Sequence, residues 1–159
     1  MPNKPKISQY GSGDPAPPQK SGKISQWEST LTNSSVPMFQ RMRNVFSLRN
    51  DGSDAACIAL CSGFNSDSAL LRHEVAYVLG QMQNEVAIPT LIEVLSNETE
   101  HVMVRHEAAE ALGAIGNYEV KPTLERFVNH PMPEIAESCE VVIDLLDWCK
   151  SKEYQEVDC

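Results

Sequence analysis

Apolar residues along the middle of the chain recur at helical spacing. Val75, Val78, Leu79 and Met82 form an i, i+3, i+4, i+7 stripe, the pattern of a helix that buries one face. Ala108, Ala111, Leu112 and Ile115 repeat the stripe 33 residues later. The same offset carries Pro89-Thr90-Leu91 onto Pro122-Thr123-Leu124. Proline suits a first helical turn, where its missing N–H has no partner to lose. Each unit therefore reads as two helices, the second starting near Pro89 or Pro122. Asn84 and Gly116-Asn117 provide the turn between them. A period in the thirties without alternating strand pattern predicts an all-α fold, a HEAT-like solenoid of helical hairpins.

Weaker copies flank the pair. Residues 41–48 predict a helix upstream, and residues 135–143 one downstream that continues through Leu145, Leu146 and Trp148. Terminal units of a solenoid depart from the repeat because one face meets solvent. A short helix is expected over Ser25–Leu31. Five prolines fall within the first 18 residues. They predict a disordered Pro-rich linker or tail over residues 1–35, since such a segment buries too little apolar surface to offset its ordering entropy. The repeat domain is expected over residues 36–150 and a polar tail over residues 151–159.

Composition narrows the class. The chain has 159 residues, 42% hydrophobic but only 6% aromatic, enough for one helical core. The net charge of −9 is uneven: residues 1–35 carry +2 and the remainder −11. An acidic body does not attract nucleic acid, whose phosphates need a basic surface. No apolar run approaches the ~20 residues that span a bilayer, and the first 23 residues lack the apolar segment of a secretory signal. Five cysteines without a C-x-x-C pair argue against a disulfide framework and for the reducing cytoplasm. Cys139 lies in an apolar helix and reads as core.

Two of the four histidines share one register of the repeat, and each precedes a glutamate: His73-Glu74 and His106-Glu107. Equivalent helices in a stack sit about 8–10 Å apart, so identical positions form a ladder on one face. Neutral imidazoles there can bind iron, zinc, copper or nickel. The glutamates, about 100° further around each helix, can add oxygen ligands. The bland alternative is a solvated helix start copied by duplication. The spacing is not that of a His-Glu-x-x-His zinc protease. His101 and His130 break the register and read as surface residues. No phosphate loop or nucleophile elbow is present, and Gly80 and Gly113 read as close-packing or helix-end positions.

The segments Leu71-Arg72-His73-Glu74-Val75-Ala76-Tyr77-Val78-Leu79-Gly80 and Val104-Arg105-His106-Glu107-Ala108-Ala109-Glu110-Ala111-Leu112-Gly113 closely resemble deoxyhypusine hydroxylase. The resemblance runs from about Val36 to Trp148. It implies a HEAT-repeat solenoid with a non-haem di-iron site (ferrous iron) that hydroxylates the deoxyhypusine side chain of translation initiation factor five-A with dioxygen, giving hypusine. It assigns His73 and His106 to one iron and Glu74 to its neighbour. Glu107 is placed beside the metals, where it meets the substrate amine. Members of that family carry four His-Glu pairs in two similar halves, whereas this chain has two. Asp14-Pro15-Ala16-Pro17-Pro18 resembles the linker between the halves, so the chain is read as the carboxy-terminal half. Three arrangements are open: an incomplete product, assembly with a separate first half, or pairing of two copies about a two-fold axis. The competing reading is a non-enzymatic HEAT-repeat scaffold that binds protein on its concave face. A lyase-like HEAT protein acting on a bound chromophore is a third, without specific support.

Overall fold

The computed structural model describes residues 4–151. Eight α-helices appear among them: α1 (Ile24–Thr32), α2 (Met38–Asp51), α3 (Asp54–Cys61), α4 (Ala69–Met82), α5 (Ile88–Ser96), α6 (Val102–Ile115), α7 (Lys121–Glu125) and α8 (Pro133–Lys150). The described residues hold no strand, only an isolated bridge between Ile7 and Gly13. The helices pair as four hairpins: α1 on α2, α3 on α4, α5 on α6 and α7 on α8. The even-numbered helices then stack side by side, α2 on α4, α4 on α6 and α6 on α8. This is the expected all-α HEAT-like solenoid, except that α4 and α6 each pair with the helix before them and not with the one that starts at Pro89 or Pro122. No described helix is long and apolar enough to cross a membrane.

Local chemistry sets the boundaries. The Ser53 and Ser68 side chains accept the N–H groups of Ala56 and Leu71, capping α3 and α4. His101 does the same for α6, with Nδ1 accepting from the Met103 N–H at 3.2 Å. Pro89 and Pro122 sit in the first turns of α5 and α7, as predicted. At the end of α6, Gly116 takes the left-handed conformation with φ 80°. Its counterpart after α4 is Gln83, left-handed at φ 50° without a glycine's freedom. Gly80 and Gly113 are close-packing positions inside helices. A Cβ on Gly80 would lie 3.1 Å from the Ala111 backbone, and one on Gly113 would lie 2.9 Å from the Val142 methyls.

The predicted stripes face inward. Val75, Val78, Leu79, Ala108, Ala111 and Leu112 are buried, joined by Leu91, Leu95, Leu124 and Ile135 from neighbouring helices. Cys139 is buried there too.

The expected disordered tail over residues 1–35 is corrected for the described part. The helical domain begins at α1, whose Leu31 is fully buried, and Ala16 is only 1% exposed. The Pro-rich stretch has little core of its own, but α2 supplies what it lacks. Arg43 donates to the Pro17 and Pro18 carbonyls at 2.9 and 3.2 Å. The Gln19 N–H donates to Ser47 Oγ at 2.8 Å. Prolines also have less backbone entropy to lose when the segment docks. The predicted polar tail, beyond Ser151, falls outside the described residues.

Candidate metal centre

Arg72-His73-Glu74 and Arg105-His106-Glu107 occupy the same place in their helices, the arginine being the fourth residue of α4 and of α6. Because those helices stack directly, their exposed faces adjoin. The contact between them is diagonal. His73 Nε2 lies 3.1 Å from Glu107 Oε2, so the histidine of one repeat meets the glutamate of the next. At this distance the two side chains are in direct polar contact, an ion pair whenever the imidazole is protonated and the carboxyl ionised.

His106 turns towards α8. Its Nδ1 is 2.6 Å from Ser138 Oγ. The Ser138 hydroxyl proton is already committed to the Glu134 carbonyl, 2.5 Å away. Ser138 can then only accept, so Nδ1 of His106 carries the hydrogen. In neutral imidazole this leaves the Nε2 lone pair free. That nitrogen faces Glu110 Oε1 at 3.6 Å. Ligand atoms of His106, Glu107 and Glu110 all lie within 4.8 Å of one another. One imidazole nitrogen with two carboxylates inside that span is a donor set for a divalent transition metal such as iron, zinc or manganese. The hydroxyl that fixes the ring matches the outer-shell hydrogen bond expected behind a metal-binding histidine.

Electrostatics sharpen the picture. Glu107 is only 8% exposed. Burial, reinforced by the charges of Glu110 and Glu74 and opposed by His106, pushes its carboxyl up to about 7. Glu74 is raised as well, first by burial and then by Asp14, while His73 and Arg49 pull it down. Carboxylates held at such a disadvantage gain from a bound cation.

Of the four residues named from the sequence, His73 and Glu107 meet at the junction of α4 and α6, whereas His106 faces the next junction, towards α8. Glu74 points to the other flank, lining a cavity of about 260 Å³ with His73, Phe46, Tyr77 and Asp14. Glu110 and Ser138 escaped the sequence reading. Glu110 lies four residues after His106 and hence on its face, a usable signal. Ser138 had none, because its role depends on how α8 packs. His101 and His130 are surface residues; each Nδ1 accepts a backbone N–H two residues on.

Comparison with known proteins agrees with this architecture. The family described as HEAT repeats matches residues 56–144. The chain belongs to the HEAT-repeat family. Within it, this HEAT-repeat chain is similar to deoxyhypusine hydroxylases. It is 45% identical over 152 residues to that of Candida albicans, covering 93% of the chain and 48% of the relative. To that of Homo sapiens it is 42% identical over 154 residues, covering 97% and 51%. The solved structure of human deoxyhypusine hydroxylase in complex with glycerol superposes with a TM-score of 0.86 at 44% identity, covering 91% of this chain and 50% of that one. The HEAT-repeat chain thus spans about half the length of the curated relatives it matches.

Proposed function

We propose that this chain provides one half of a deoxyhypusine hydroxylase. Its substrate is the deoxyhypusine side chain of translation initiation factor five-A, and its partner is a separate first half or a second copy of itself. The observation that carries the reading is the cross-repeat contact of His73 with Glu107 beside a His106 whose Nε2 is left free for a metal. A scaffold has no need of either.

The residues fit a ferrous centre by donor chemistry. His106 offers an imidazole whose ring is held by Ser138. Glu107 and Glu110 offer oxygens within reach of the same point. His73 and Glu74 extend the set along α4. A pair of irons bound there would supply the activation of dioxygen. The chain's own part is to hold ligands in place and to manage protons. With its carboxyl near 7, Glu107 releases a proton when it takes a cation at neutral pH. Metal uptake is accordingly coupled to proton release. With two His-Glu pairs rather than four, the described half leaves coordination positions for a complementary surface. The acidic body suits a cationic amine and the basic segment around it. The Cys57, Cys61, Cys139 and Cys149 thiols are free, in keeping with a cytoplasmic setting that also preserves ferrous iron.

The test is complementation. The full chain is loaded anaerobically with ferrous iron and mixed with the amino-terminal half of a relative and a deoxyhypusine-bearing factor. Oxygen is then admitted and hypusine is measured by amino-acid analysis. Hypusine should form in the mixture and fail to form with His106→Ala. An iron-loaded mixture that makes no hypusine would overturn the reading.

A further inference from the structure

Arg49 is the most thoroughly held side chain among the described residues. It is a fully buried arginine, 0% exposed, in α2. Its Nη1 and Nη2 donate to the two Asp14 oxygens at 2.8 and 2.7 Å, a bidentate pair. Nη1 also donates to Gln81 Oε1 at 2.9 Å, and Nε and Nη2 both donate to Asn50 Oδ1. The guanidinium lies between two rings, 4.5 Å from the Tyr10 centroid and 4.8 Å from that of Phe46. An arginine stacked and forked in this way fixes its partner in both position and orientation.

That partner belongs to a strap. Residues 7–13 turn back on themselves, with the Ser8 N–H donating to the Ser12 carbonyl at 2.8 Å and the Gly11 N–H to the Ser8 carbonyl at 3.0 Å. Gln81 of α4 reaches Ser12 Oγ at 3.4 Å. Arg43 and Ser47 hold the strap's far end on α2. Ser12, Gly13, Asp14 and Pro15 then form one wall of the 260 Å³ cavity whose other wall includes His73 and Glu74. By contrast, the 310 Å³ cavity beside His106 is lined by Met103, Glu110, Ser138 and neighbours in α8, with no strap residue.

We propose that Asp14 and Arg49 are a positioning pair: their clamp holds the strap as the wall of the His73–Glu74 cavity and sets access to those two side chains, leaving His106 untouched. The functional weight of this pair rests on the reading of His73 and Glu74 as site residues. Its structural content stands without metal. Neither residue touches the reacting groups; both act through the strap.

Carbethoxylation of the metal-free full chain at pH 7.5, read by mass spectrometry at each histidine, tests it. In Asp14→Asn the clamp loses its charge, and His73 should react several-fold faster, because the strap is no longer pinned by a buried ion pair. His106 should keep its rate, and Asp14→Glu should restore protection at His73. Far-UV circular dichroism confirms that each variant is folded, and Arg49→Lys provides a second break from the other side. An unchanged His73 rate in folded Asp14→Asn would overturn the proposal. So would equal acceleration at His73 and His106, since that reports general loosening. Ferrous titration of the wild-type chain separates the two ideas. Absent metal uptake with His73 still shielded by the clamp would sink the metal reading alone. Normal uptake with an indifferent His73 rate would sink the clamp alone.

Discussion

In α4, Arg72 donates through Nε and Nη2 to both oxygens of Glu100 at 2.7 Å, and through Nη1 to the Ser66 carbonyl at 2.7 Å. In α6, its counterpart Arg105 donates through Nε to the Leu95 carbonyl at 2.9 Å, while buried Nη2 has no partner among the described residues. The neighbours of the two histidines differ as well: His73 meets Glu107, whereas His106 meets Ser138 and Glu110. Where α6 carries Glu110, the same register of α4 carries Tyr77. Two helices with nearly the same sequence thus acquire different electrostatics from the helix that follows. In a stacked repeat, a residue's chemistry belongs to the junction it faces as much as to its own motif.

The largest expected difference concerns the two arginines. Arg72→Met strands Glu100, whose side chain is 8% exposed. Burial pushes that carboxyl up, and the hydrogen bonds and charge of Arg72, with the His101 N–H, bring it below its usual value. Losing them should cost about 3 kcal/mol or more in urea unfolding. Arg105→Met, which removes an imperfectly satisfied buried charge, should stay within about 1 kcal/mol of wild type. Equal losses would break the comparison.

Glu107 gives the next effect. Its folded carboxyl, raised from 4.5 to about 7, binds a proton more tightly than the unfolded chain does. Its stabilising contribution is therefore full below 4.5 and is lost as pH rises through about 7. For the metal-free protein this amounts to up to roughly 3 kcal/mol. Denaturation at pH 5 and pH 8 should show the slope, and Glu107→Gln should flatten it. Glu74→Gln should act in the same direction, since burial raises that carboxyl too.

The glycines sharpen the contrast at smaller scale. Gly80→Ala and Gly113→Ala should each cost about 1–3 kcal/mol from overpacking. Only the second should be relieved by Val142→Ala, because Gly113 abuts the Val142 methyls whereas Gly80 abuts the Ala111 backbone. A double mutant Gly113→Ala/Val142→Ala as unstable as the two losses combined would contradict this. The smallest effect is a gain. Gln83→Gly should relax the left-handed φ of 50° and stabilise by about 0.5–1 kcal/mol, partly offset by loss of the Gln83 bond to the Ala114 carbonyl.

The repeat was readable because helical periodicity and a 33-residue offset reinforce each other, and Pro89, Pro122 and Gly116 stand where helix chemistry wants them. His73 and Glu107 were readable because register places them along one junction; His106 shares that register but faces α8. Asp14 was not readable. Its local composition describes a tail, and what holds it is Arg49, 35 residues away. Ser138 was hidden likewise: a serine in an apolar helix means nothing until α8 lies against α6. Local pattern reports elements, while contacts between elements distant in sequence are supplied by packing.

Anaerobic titration of the full chain with ferrous iron, counted as metal per chain at neutral pH with protons released followed in parallel, tests the joint His-Glu site most directly. Saturable uptake accompanied by proton release, weakened by His106→Ala or by Glu107→Gln, is the predicted result. No uptake, or uptake indifferent to both substitutions, would contradict it.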